Sequence, residues 1–210
     1  MVYQSMSSKE TTQLSYEKTA QAFADKVVNL APKDSIEKLM SVLLPNPRIL
    51  DIGCGSGRDA NIFQSMEAEV VGIDFCAHLL EIAKANAPLV DFQLMDIENL
   101  DFPDETFDAA WAACSLAHLP KSALPAVLQK IHQILDEDGY FYLTLKKGTG
   151  EGLEVDERYE GAVQKFWAYY EADELKKLLL NANFNILSFD LVEKSSPYHS
   201  HLAFRVFCKK

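Results

Sequence analysis

Ile49-Leu50-Asp51-Ile52-Gly53-Cys54-Gly55-Ser56-Gly57-Arg58 decides the architecture. An apolar strand runs straight into glycines at three alternate positions and then into a helix. Glycine permits a tight turn and lets a ligand approach the backbone closely, and the following helix N-terminus offers free N–H groups. The dinucleotide fingerprint G-x-G-x-x-G would put its third glycine at position 58, where close helix packing wants no side chain. Here Gly57 is followed by the bulky Arg58. The Walker pattern G-x-x-x-x-G-K-S/T is absent, which excludes a P-loop.

Outward from this turn, short apolar runs alternate with helical spacing. The runs are Arg48–Ile52, Glu69–Asp74, Val90–Asp96, Phe107–Ala113 and Tyr140–Leu145. Their nearly continuous apolar character predicts parallel strands covered on both faces. Leu124, Val127, Leu128, Ile131 and Leu135 mark the clearest helix between them, with Ser122 as its expected N-cap. A further helix carries Leu175, Leu178, Leu179 and Ala182. Two strands follow, Phe184–Val192 and Leu202–Cys208, separated only by Glu193 to His201 with Ser195-Ser196-Pro197 inside. That connection is too short for a parallel crossover, so these strands are expected to be antiparallel neighbours. The fold class is therefore α/β: a doubly wound, Rossmann-like, seven-stranded sheet with an antiparallel last strand and helices on both faces. A single domain spans 1–210. Residues 1–45 form an N-terminal helical cap, with Tyr16, Ala20, Phe23, Ala24 and Val27 on one helix face and a second helix over Ser35–Leu44 ended by Pro45-Asn46-Pro47. Residues 148–170 show no clean period and read as a lid-like insertion, a loop with some helix.

Composition narrows the function. Hydrophobic residues make up 48% of the chain, enough for a sizeable core. No apolar run approaches a membrane span, and Met1 to Lys18 lacks the apolar region of a secretory signal. A formal net charge of −11 opposes phosphate backbones, so nucleic acid is not the expected partner. Cys54, Cys76, Cys114 and Cys208 show no metal or disulfide spacing, and a cytoplasmic setting is expected. Those near the turn, Cys54, Cys76 and Cys114, read as small buried apolar residues. His199 and His201 have no partner ligands and read as surface.

The motifs in order resemble those of class I S-adenosylmethionine-dependent methyltransferases. The resemblance runs from Asp51-Ile52-Gly53-Cys54-Gly55-Ser56-Gly57 through Val70-Val71-Gly72-Ile73-Asp74, Leu94-Met95-Asp96-Ile97 and Phe107-Asp108-Ala109-Ala110-Trp111 to Leu135-Asp136-Glu137-Asp138-Gly139-Tyr140. It covers roughly residues 45 to 210. It implies S-adenosyl-L-methionine as cofactor. Asp74 would accept hydrogen bonds from the ribose hydroxyls, and Asp96 from the adenine amino group, with Ile97 and Phe75 sandwiching the ring. Gly53 and Gly55 would lie against the methionine portion, and Asp51 would orient the loop or meet the amino group. Each acid could instead cap a helix or end a strand in solvent.

The substrate lies in the variable segments. The positions after strands four and five read Ala113-Cys114-Ser115 and Leu145-Lys146-Lys147, with no carboxylates for a metal and no amino-methylating [DN]-P-P-[YF] signature. Closest in texture is the type-11 group of small-molecule methyltransferases, which the chain resembles in Cys114-Ser115-Leu116-Ala117-His118-Leu119-Pro120 and Leu145-Lys146-Lys147-Gly148-Thr149-Gly150-Glu151. That group often carries Tyr-x-x-x-Ala-x-x-Tyr near its N-terminus. Here Tyr16 and Ala20 match and Phe23 lacks the second hydroxyl, so only Tyr16 is carried over as a group closing on the cofactor. His118 stands at the strand-four edge as a general base for a hydroxyl acceptor or as a positioning group. O-methyl transfer to a small molecule is the leading expectation. A non-catalytic S-adenosylmethionine-binding module and an NAD-dependent Rossmann oxidoreductase are the rivals. The sequence leaves the oligomeric state open.

Overall fold

Alternating inward residues sort the strands into one sheet with two apolar faces. In this computed structural model, residues 6–193 and 201–210 are described. The N-terminal helices are α1 (Ser8–Val27) and α2 (Lys33–Met40). The βα units follow as β1 (Arg48–Ile52), α3 (Arg58–Ser65), β2 (Glu69–Asp74), α4 (Ala77–Asn86), β3 (Asp91–Leu94), β4 (Phe107–Ala113), α5 (Leu124–Ile134) and β5 (Leu135–Lys146). The chain continues through β6 (Glu151–Asp156), β7 (Val163–Ala168), α6 (Ala172–Asn181), β8 (Asn185–Val192) and β9 (Ala203–Lys209). The sheet order is β3-β2-β1-β4-β5-β9-β8. Strands β1 to β5 pair in parallel, and β9 runs antiparallel to both β5 and β8. The seven strands and the antiparallel end match the expectation.

Period two decides which side each residue takes. Ile49, Trp111, Tyr142 and Phe207 pack against α2, α3 and α4. Leu50, Ala110, Phe141, Leu143 and Val206 face α5 and α6. Trp111 stacks on Tyr142 at 3.7 Å between ring centroids and meets Phe63 of α3 edge-on. The central strands β1 and β4 therefore have no polar face, which is why their sequences read as continuous apolar runs.

Four local expectations change, the first being that Leu135 begins β5 and is not on the helix. Residues 148–170 contain no helix. They form the two-stranded antiparallel hairpin β6–β7, which stands outside the main sheet. Helix α5 starts after Ala123 with no side-chain cap, and Pro125 in its first turn, not Ser122, fixes the start. Helix α2 runs Lys33–Met40 and ends earlier than Leu44, because tighter bonds from Val42 N–H to the Leu39 carbonyl and from Leu43 N–H to the Met40 carbonyl close its last turn. Ser195-Ser196-Pro197 and His199 lie outside the described residues. No helix among the described residues is long and apolar enough to cross a membrane.

Candidate functional site

The glycine turn sits where β1 gives way to α3, at the carboxyl edge of the sheet. Gly53, Gly55 and Gly57 all have positive φ, 71°, 56° and 76°. A Cβ on Gly53 would stand 2.3 Å from the Ser115 Cβ, and one on Gly55 3.2 Å from the Phe23 ring. Gly57 is the close-packing glycine, since a Cβ there would lie 3.0 Å from Ala83 of α4. Arg58 turns aside instead. Its guanidinium donates to Asp59 at 2.6 and 2.9 Å, and Asp59 also accepts from the Trp111 indole N–H at 3.0 Å.

The three strand-edge acids share one cavity of about 540 Å³ with the turn. Asp51 is 3% exposed, and its Oδ2 has no hydrogen-bond partner among the described residues. Burial, reinforced by the charge of Asp59, pushes its carboxyl well above the usual carboxylate range. A buried carboxylate oxygen without a donor calls for one from a ligand. Asp74 is also buried. It accepts from Gly55 N–H and Cys76 N–H, both at 2.9 Å, and burial raises its pKa to about 6 against those bonds. It thus fixes the turn and keeps acceptor capacity toward the cavity. Asp96 is engaged differently: its Oδ2 meets Lys9 Nζ of α1 at 2.6 Å and its Oδ1 caps the short helical turn Ile97–Asn99. Ile97 lies against Gly53, and Phe75 packs edge-on to Tyr16, so both border the same cavity.

Helix α1 covers this edge. Gln13 donates to the Phe75 carbonyl at 2.7 Å, and Glu17 accepts the Ala77 and His78 N–H groups, capping α4 from another element. On its other side α1 is stitched to β7: Thr12 Oγ1 accepts the Phe166 N–H at 2.9 Å and Ser15 Oγ donates to the Gln164 carbonyl. The Tyr16 hydroxyl meets His118 Nε2 at 2.9 Å, while His118 Nδ1 lies 2.7 Å from the Phe166 carbonyl. A carbonyl only accepts, so Nδ1 carries the proton and Nε2 accepts from Tyr16. His118 is held neutral, its pKa lowered to about 3 by desolvation, with the Lys165 and Lys146 charges adding to the effect. Its remaining exposure faces the cavity.

The far end of the cavity is built on β5 and β9. Thr144 and Arg205 are register partners, and Lys146 is one step further along the same face. Thr144 Oγ1 accepts the Cys114 N–H at 2.8 Å where β4 ends. Cys114 is exposed with a φ of 65°, unlike the buried Cys54 and Cys76, because the strand turns out toward the cavity there. Lys146 Nζ lies 3.1 Å from the Trp167 ring centroid, and burial lowers its pKa to about 8. Among the described residues no three His, Cys, Asp or Glu side chains form a metal-binding group.

Sequence reasoning placed Asp51, Gly53, Gly55, Asp74, Phe75, Asp96, Ile97, Tyr16 and His118 at one site, and all of them border the cavity. It missed Lys9, Thr12, Lys146, Trp167 and Arg205. Lys9 could have been suspected from its place on the predicted N-terminal helix. The hairpin's contribution left no periodic signal.

A methyltransferase-domain family profile matches residues 49–139. The mitochondrial arginine-hydroxylase NDUFAF5 of Rattus norvegicus is 33% identical over 163 residues, covering 72% of this chain and 46% of that protein. The 2-phytyl-1,4-naphtoquinone methyltransferase of Synechococcus elongatus is 34% identical over 104 residues, covering 45% and 44%. The chain thus spans less than half the length of these curated relatives. The crystal structure of Burkholderia thailandensis 1,6-didemethyltoxoflavin-N1-methyltransferase, solved with 1,6-didemethyltoxoflavin and S-adenosylhomocysteine bound, superposes with a TM-score of 0.75 over 100% of this chain and 93% of that one at 20% identity. That likeness concerns the fold. Residues 49–139 thus match a methyltransferase domain, and the sheet order, the antiparallel last strand and the glycine turn make the fold Rossmann-like, as in the solved S-adenosylmethionine-dependent methyltransferases it superposes on.

Proposed function

We propose that this protein binds S-adenosyl-L-methionine at the glycine turn and transfers its methyl group to a small-molecule acceptor, with oxygen the favoured receiving atom. The observation that carries the reading is Asp51 Oδ2, a buried carboxylate oxygen lacking a donor beside glycines that admit no Cβ. It fits the cationic amino group of the cofactor's methionine portion. Asp74 takes the ribose end, Asp96 the adenine amino group, and Phe75 and Ile97 flank the ring. The bound cofactor supplies a methyl already activated on a sulfonium, so the protein's work is alignment and exclusion of water.

Helix α1 and the hairpin exclude that water together. His118 acts as a positioning residue in this reading: a ring neutral down to about pH 3 is a weak base, and its Nε2 is spent on Tyr16. Oxygen is favoured over nitrogen by the charge at the acceptor end. An attacking oxygen gains from the Lys146 and Arg205 cations, whereas an amine becomes cationic on methylation and is opposed by them. Cysteines that are all free fit a cytoplasmic setting.

The experiment is a screen of small-molecule acceptors with purified protein and S-adenosylmethionine, read by mass spectrometry. A methyl gain in the acceptor with matching S-adenosylhomocysteine supports the reading. One relative is named an arginine-hydroxylase, and an oxygen gain instead of a methyl gain would overturn the reading. Calorimetry separates the remaining rivals: NAD binding without S-adenosylmethionine binding points to an oxidoreductase, and cofactor binding without any turnover to a binding module.

A further inference from the structure

The charges around the cavity are segregated. At the β1–β3 end the uncompensated groups are acids, Asp51 and Asp74, while Asp96 and Asp59 are paired with Lys9 and Arg58. At the β5–β9 end they are bases. Lys146 Nζ has no hydrogen bond or ion pair among the described residues and rests on the Trp167 ring. Arg205 Nε is buried without a partner, although another nitrogen of its guanidinium stands 3.5 Å from Asp190. The nearby acids are committed elsewhere. Asp156 is held by Arg158 at 2.6 and 2.8 Å and by Lys165 at 3.3 Å, and Glu154 takes the Tyr169 hydroxyl at 2.8 Å. Glu193 also borders the cavity, next to β8.

Two cationic groups with open donors, diagonal neighbours on one sheet face, are a receptor for an oxyanion. In a chain of net charge −11 such a concentration at one end of a cavity is a local exception. One ammonium and one free guanidinium N–H match the capacity of a carboxylate. Resting on the methyltransferase reading above, we propose that the methyl acceptor is a small, carboxylate-bearing molecule whose carboxylate is held by Lys146 and Arg205.

The test uses the full chain with S-adenosylhomocysteine titrated first and then matched probes: benzoate against benzamide, and para-hydroxybenzoate against para-hydroxybenzamide. The carboxylate of each pair is expected to bind at least about tenfold more tightly than its amide, the scale of a hydrogen bond to a charged group. Lys146→Met and Arg205→Gln should each bring that ratio close to one while S-adenosylhomocysteine affinity, which also reports folding, is kept. Lys146→Arg should retain the preference. Equal binding of acid and amide, no carboxylate binding at millimolar concentration, or a preference surviving both substitutions overturns the proposal. Failure of S-adenosylhomocysteine to bind strikes the underlying reading instead, so the two failures are told apart.

Discussion

His118 shows how far one side chain's role depends on backbone far away in sequence. Its type and its place after β4 suggest a base, but the Phe166 carbonyl and the Tyr16 hydroxyl occupy both ring nitrogens. No residue-type pattern announces a backbone acceptor 48 positions downstream. The pKa lowered to about 3 has a stability consequence. Below its ordinary value of 6.5 the unfolded chain takes up a proton that the folded one refuses until about 3, so stability is full above 6.5 and is lost as pH falls through that window. His118→Asn is expected to flatten this slope by about 3 kcal/mol between pH 6.5 and 4, measured by urea unfolding at several pH values. Asp74, raised to about 6, acts with the opposite sign: its contribution is full below 3.8 and lost as pH rises through 6, equally in both proteins. Turnover should respond in a matching way. His118→Asn and Tyr16→Phe are each expected to lower kcat about tenfold with little change in KM, and any change of the wild-type rate near pH 6, where Asp74 titrates, should persist in His118→Asn. A loss of rate through pH 6.5 that disappears in His118→Asn would restore His118 as the base. Gly53 is a simpler case that the sequence made legible: Gly53→Ala meets Ser115 at a positive φ and should lose about 2–4 kcal/mol of stability in thermal unfolding.

Among the elements, the parallel strands and their helices were readable because burial on both faces writes itself into every residue. Ile49 and Leu50 are both fully buried although they point to opposite faces. The hairpin was not readable. Strand β6 is largely exposed, and β7 buries its charged Lys165 along with its apolar residues, so neither shows the alternation of a half-covered strand. Lys165 is tolerated there because Asp156 pairs with it and the rings of Tyr16 and Tyr159 stand 4.0 and 4.3 Å away. Strand β7 is held by α1 through hydroxyls, which makes the seam testable. Thr12→Val keeps the shape but strands the Phe166 N–H, and a loss of about 1–3 kcal/mol is expected. Exchange of that amide with solvent should quicken in the variant. Unchanged exchange would show that another acceptor replaces the hydroxyl.

Over the whole molecule, the cavity is closed by parts far apart in sequence: α1 near the start, the hairpin in the second half, and Lys9 bridging 87 residues to Asp96. Binding of S-adenosylhomocysteine should therefore slow hydrogen exchange in Ser8–Val27 and Glu151–Ala168 together, and a change confined to one of them would show that the cover moves as separate pieces. Sheet order, core and the glycine-turn end of the cavity were legible from strand-edge motifs; the β5–β9 end was not, since Lys146 and Arg205 lie on ordinary strands and only register brings them side by side. The seam between α1 and β7 carries one more consequence. The hydroxyls of Thr12 and Ser15 occupy the main-chain groups of a strand margin that would otherwise be free to recruit another polypeptide. A protein shortened to begin after Val27 should consequently self-associate through Val163–Ala168, seen as growing light scattering with concentration, so the N-terminal helix also serves as a guard against polymerisation.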